Sequence, residues 1–187
     1  MKTRNLTTLI ILWAISNSNT SFAQTYYSIK NDLAGFYLTY NDFINGKITN
    51  GVPTNKREYI LYPQGFFQYK DPELKTPDTT IVYKRSEIWG FNDHRGQLIR
   101  TYEDRHYKVL CDKGIVLYLI YSPTSASYHF SKSLNEPVYR LTRKNLNAVY
   151  ADNKVLLEKI KHSKKKEWTI KSEQTEMFGL NEIFMYK

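Results

Sequence analysis

Between Thr79 and Tyr121 the chain repeats one pattern five times: a run rich in β-branched and aromatic residues, then a short polar break. The runs are Thr79–Lys84, Glu87–Phe91, Gln97–Tyr102, His106–Cys111 and Ile115–Tyr121. The breaks are Arg85-Ser86, Asn92 to Gly96, Glu103 to Arg105 and Asp112 to Gly114. A parallel crossover needs a dozen or more residues, so breaks this short allow only antiparallel hairpins. Ser127–Ser131 extends the series. Upstream, Phe36–Tyr40, Tyr59–Tyr62 and Phe66–Tyr69 read as further strands, with Asn41 to Gly46 a turn and Lys47–Lys56 and Lys70–Asp78 loops.

After Pro137 the period changes. Thr142 reads as an N-cap for a helix over Arg143–Tyr150. Asp152 or Asn153 caps a second over Lys154–Lys161, with Val155, Leu156 and Ile160 on one stripe. Met177–Tyr186 reads as a last strand or short helix. The expected fold is therefore α+β: mainly β, a curved antiparallel meander sheet or partly closed barrel, with one or two C-terminal helices over about 142–162.

The first residues predict export. Lys2 and Arg4 precede a short apolar run, Leu6–Ile15, and Ser21-Phe22-Ala23 offers small residues for cleavage before Gln24. A spanning helix needs about 20 apolar residues, which this run does not reach. Residues 1–23 are thus read as a signal peptide and 24–187 as one β-rich domain without a transmembrane segment. The destination is the periplasm, the outer-membrane periphery or the medium.

Composition narrows the chemistry. One cysteine, Cys111, forbids an intramolecular disulfide, and its strand context reads as a buried, inert thiol. Sixteen tyrosines and nine phenylalanines suit half-buried strand positions and, secondarily, glycan or peptide binding. The net charge is +9, and losing Lys2 and Arg4 leaves +7. For an exported chain this points to anionic envelope components rather than nucleic acid, or to solubility alone.

Two resemblances stand in the sequence. Trp89-Gly90-Phe91, Asp93 and Gly96 within Ile88–Ile99 resemble the strand–turn–strand core of WG-type repeats, present here once. The Ser21-Phe22-Ala23-Gln24 junction and the Tyr, Lys and Asn usage resemble exported proteins of Bacteroidota. So does the order Gly35 to Phe43, Trp89 to Phe91, Leu141 to Leu146 and Asp152-Asn153. That resemblance implies a shared fold and carries no assigned activity or site residue.

No motif supports catalysis. His94, His106, His129 and His162 lack the i, i+4 spacing of a zincin, and no Cys-x-x-Cys, Gly-x-Ser-x-Gly or phosphate-binding glycine loop occurs. No catalytic residue, metal ligand or cofactor is assigned. The expected function is that of a non-catalytic envelope protein that binds a protein partner. The alternatives are a small-ligand or glycan binder with an aromatic pocket, and a hydrolase or metal-dependent enzyme built on His94 and His106. Trp89 and Trp168 are the candidate binding aromatics. Lys164, Lys165 and Lys166 are either a solvated face or a contact surface for an anionic envelope component. Amino-terminal sequencing of the protein recovered from its host should begin at Gln24; an intact Met1 would overturn the export reading.

Overall fold

The computed structural model describes residues 32–54, 60–62, 70–121 and 125–186. The expected signal peptide, Tyr59 and the Phe66–Tyr69 strand lie outside the described residues. In chain order the elements are β1 (Leu33–Tyr37), α1 (Tyr40–Ile44), β2 (Thr49–Pro53), β3 (Ile60–Tyr62), β4 (Glu73–Lys75) and β5 (Thr80–Val82). Then come β6 (Gly90–Asn92), β7 (Leu98–Tyr102), β8 (Arg105–Cys111), β9 (Val116–Tyr121), β10 (Ala126–Ser131) and β11 (Tyr139–Arg140). Three helices follow: α2 (Arg143–Val149), α3 (Lys154–His162) and α4 (Gly179–Met185).

Short turns decide the main sheet. The Asp93 carboxylate accepts the N–H groups of Arg95 and Gln97 at 2.8 and 2.9 Å, and Gly96 takes φ +72°. That closes the β6–β7 hairpin. At Gly90 a Cβ would sit 2.5 Å from the Ile99 carbonyl oxygen, so this backbone approach admits no side chain. Successive hairpins give an eight-stranded antiparallel sheet in the order β11-β10-β9-β8-β7-β6-β1-β2. The α+β, mainly β class holds, and the sheet is open, with β11 and β2 as its edges. Both edges are poor templates for further pairing: β11 has two residues, and β2 contains Asn50 at φ 53° and ends at Pro53.

Three upstream features differ from expectation. Residues 41–43 form part of α1 rather than a turn. Thr39 accepts from the Asp42 N–H at 3.1 Å while Asp42 accepts from the Thr39 N–H at 3.0 Å, a reciprocal cap. Strands β2 and β4 lie inside segments read as loops. The Thr79–Lys84 run does not join the meander, since its strand β5 pairs with β4 in a separate sheet of order β3-β4-β5.

Both faces of the main sheet are covered. Under one, the helical face, Cys111, Ile115, Leu117 and Phe130 pack against Leu146, Tyr150, Leu156, Ile160, Trp168 and Leu180. Farther along it, Leu74 and Ile81 of the small sheet pack with Phe36, Phe91 and Ile99. The opposite, aromatic face carries Tyr37, Leu98, Tyr107, Val109, Tyr118 and Ile120, covered by residues around α1 and by Leu134 and Val138. Thr142 and Asn153 cap α2 and α3 as their sequence positions predict. Asn181 of α4, fully buried, accepts the Ile115 N–H at 2.9 Å and so ties the helices to the β8–β9 turn.

Trp168 sits at the centre of the helical layer. It is 0% exposed. Its indole N–H donates to the Ser163 hydroxyl at 2.7 Å, and its carbonyl accepts the Leu180 N–H at 3.1 Å. A Cβ at Gly179 would lie 2.3 Å from the Glu167 carbonyl oxygen, so only glycine lets α4 begin beside it. Trp168→Ala should cost about 3–5 kcal/mol in denaturant unfolding, the range for emptying a large core site. A change below about 0.5 kcal/mol, the value for an exposed residue, would contradict this placement.

Candidate functional site

Residues opposite one another in a sheet share a face. Pairing therefore aligns Tyr37, Gly90, Arg100 and Tyr107 across β1, β6, β7 and β8. A second row runs Val109, Tyr118, His129 and Arg140 across β8 to β11. Arg100 is the unusual member. It is 3% exposed and makes no ion pair among the described residues. One terminal nitrogen donates to the Tyr118 hydroxyl at 2.9 Å and to the Glu136 carbonyl at 2.8 Å. The guanidinium lies 5.0 Å from the Tyr102 ring centre and 5.9 Å from that of Tyr118. The Tyr118 hydroxyl also meets Ser131 at 2.8 Å, and burial pushes its pKa up.

Beside Arg100 lies an aromatic group. Phe43 and Trp89 stack at 4.5 Å, Tyr40 approaches Trp89 at 5.5 Å, and Tyr37 meets Phe43 edge-on at 5.3 Å. Tyr40, Phe43, Trp89 and Tyr102 are half-buried, and Leu38 and Ile44 beside them are exposed. Buried side-chain atoms without a hydrogen-bond partner among the described residues are Trp89 Nε1, Asn92 Oδ1, Arg100 Nε and His129 Nδ1. All four belong to this face. Leaving such an atom unpaired costs on the order of 1–3 kcal/mol, so this face is less completely hydrogen-bonded than the helical one.

The other candidates fall apart as a group. Trp89 joins the half-buried cluster, whereas Trp168 has no surface with which to anchor at an interface. Lys164 approaches Glu167 at 4.0 Å, while Lys165 and Lys166 are exposed on the 3-10 turn Lys165–Glu167. Cys111 is buried, donates to the Lys113 carbonyl at 3.2 Å, and has its pKa pushed up to about 12 by burial, far from a thiolate nucleophile. His94 and His106 sit toward opposite ends of β7, one in the β6–β7 turn and the other opposite Thr101. Among the described residues no three His, Cys, Asp or Glu side chains group as metal ligands.

His106 instead fastens the segment leading into β4. One ring nitrogen contacts the Lys70 carbonyl at 2.8 Å and the other the Thr101 hydroxyl at 3.1 Å. Only the first contact requires an N–H donor; the hydroxyl can donate to the second nitrogen, so the neutral ring satisfies both.

The signal that sequence reasoning missed is Arg100. It sits at an alternate position among Leu98, Arg100 and Tyr102 of an otherwise apolar strand face, and so is directed inward. No family model, curated protein or solved structure matches the chain. No helix among the described residues is long and apolar enough to cross a membrane.

Burial drives the His106 pKa from 6.5 down to about 4, and His129 moves the same way. The folded state therefore binds fewer protons than the unfolded chain below pH 6.5. Stability should be full above that pH and fall as pH drops toward 4, by on the order of 3 kcal/mol from His106. Denaturant titrations across this window should show the slope in the wild type and a shallower one in His106→Gln. Equal slopes would contradict the assignment.

Proposed function

We propose that this chain is an exported, non-catalytic envelope protein that binds a protein partner through its aromatic face. The observation that carries the reading is the half-exposed Tyr40–Phe43–Trp89 stack beside a buried, acid-free Arg100. Trp, Tyr and Arg are the residues that dominate binding energy at protein interfaces. Trp and Tyr offer large contact area at little conformational cost. Exposed Leu38 and Ile44 extend the same surface. The rings pack on one another at 4.5–5.5 Å between centres, which favours a contact patch over an aromatic cavity for a small ligand or glycan.

The test is in-cell crosslinking of the tagged full-length protein in its host, with Ile44→Glu as the probing variant. Ile44 is 57% exposed, so the change should leave the melting temperature unaltered while a charge on the patch reduces capture of the partner by about tenfold or more. Recovery of monomer alone, or equal capture by the variant, would remove this reading.

A further inference from the structure

On the far side of the helical layer, α3 and α4 leave an open cavity of about 470 Å³. Its lining is Val155, Leu156, Ile183 and Phe184 with Asn153 and Lys159. The sequence of α3 makes this composition. Leu156 and Ile160 turn into the core, while Val155 and Lys159, one turn apart, share the flank that faces the cavity. The Asn153 side chain is already committed as the α3 cap, accepting the Leu156 N–H at 3.0 Å. Lys159 is thus the only charged group of the lining among the described residues. Its ammonium donates to the Tyr186 carbonyl, a neutral acceptor, and it pairs with no carboxylate among the described residues. Val155 is 66% exposed, and Met185 and Tyr186 at the end of α4 are exposed as well.

Apolar walls with one cation define a ligand that is aliphatic over most of its length and ends in a carboxylate. We propose that the α3–α4 cavity binds a medium-chain fatty acid or a closely similar aliphatic monocarboxylate. The tail lies along Val155, Leu156, Ile183 and Phe184, and its burial removes the exposed apolar surface from water. The carboxylate takes the Lys159 ammonium in place of the Tyr186 carbonyl, exchanging a neutral acceptor for a charged one. The volume lies within the range of small-molecule sites. A single cation on the wall matches one acidic head group better than a polyanion. The site does not involve the aromatic face, so either can fail without the other.

The probes are octanoate and octan-1-ol, titrated calorimetrically into the mature protein below micelle-forming concentrations. Octanoate should bind saturably at one equivalent, and octanol about tenfold or more weakly, since it lacks the charge-assisted contact. Lys159→Met should erase that preference while far-UV circular dichroism stays unchanged, and Lys159→Gln serves as a second variant if the first misfolds. Val155→Asp, which blocks the wall and neutralises Lys159, should abolish octanoate binding. Failure of octanoate to saturate, equal affinity for both probes, or wild-type affinity in both the Lys159 and Val155 variants would overturn the proposal. So would displacement of the preference from octanoate to an acidic amphipathic peptide.

Discussion

An antiparallel sheet can leave one face in water, but this one cannot. Along β9, Val116 to Ile120 are all buried, so both parities of the strand are apolar and both sides need a cover. The rest of the architecture answers that requirement. α2, α3 and α4 close one end of the helical face, and the small sheet closes the other. The aromatic face is closed by α1 and the segment from Ser133 to Val138, a thinner layer than a helix bundle. A meander of short hairpins supplies the sheet, and the remaining segments of the described chain serve mainly as lids.

The lids are fastened differently on the two sides. Beneath the helices and small sheet, each buried polar group named above has a partner: Asn181 with the Ile115 N–H, Trp168 with Ser163, His106 with Lys70 and Thr101. These bonds fix the position of covers whose apolar contacts alone would permit sliding. On the aromatic face the pairing is incomplete, with donors on Trp89 and Arg100 left open. Replacing a buried ion by apolar residues is often neutral or stabilising. Arg100 instead ties that thinner cover to the sheet, joining the Glu136 carbonyl to the Tyr118 hydroxyl.

Much of this was legible in the residues. Polar breaks with Gly or Asp placed the hairpins from β6 to β9, and Thr142 and Asn153 marked two helix starts, because these features are local. The Thr39–Asp42 cap was also local and spells a short helix, yet the neighbouring Asn and Gly residues read more strongly as a turn. β2 and β4 were hidden because their residues have little strand propensity; they are strands only through their partners β1 and β3. The assignment of β5 to the meander failed for a different reason: hairpin spacing cannot tell which sheet a strand joins. Trp168 follows a lysine run and looked superficial. Its burial depends on the distant Gly179 and Leu180, a tertiary fact that composition does not contain. Arg100 was visible as an inward-facing position, but its lack of an acid partner was not.

The charge excess and the two surfaces have one physical origin. Acids of the described residues pair with cations: Asp42 with Lys47, Asp71 with Arg85, Glu87 with Lys84, Glu158 with Lys161, and Glu167 with Lys164. Cations outnumber acids, and most of the excess is solvated, but some cations rest on neutral acceptors. Arg100 rests on the Glu136 carbonyl and Lys159 on that of Tyr186. A carbonyl dipole satisfies a hydrogen bond without cancelling the charge, and the deficit is felt most where apolar or aromatic walls keep water away. At Arg100 the cover itself supplies that carbonyl, whereas Lys159 lies at an open wall. A basic net charge on its own says little about partners, because most of it is solvated. It becomes informative where the fold sets a cation against neutral groups beside exposed apolar surface, and in the described chain the aromatic face and the α3–α4 cavity meet that condition.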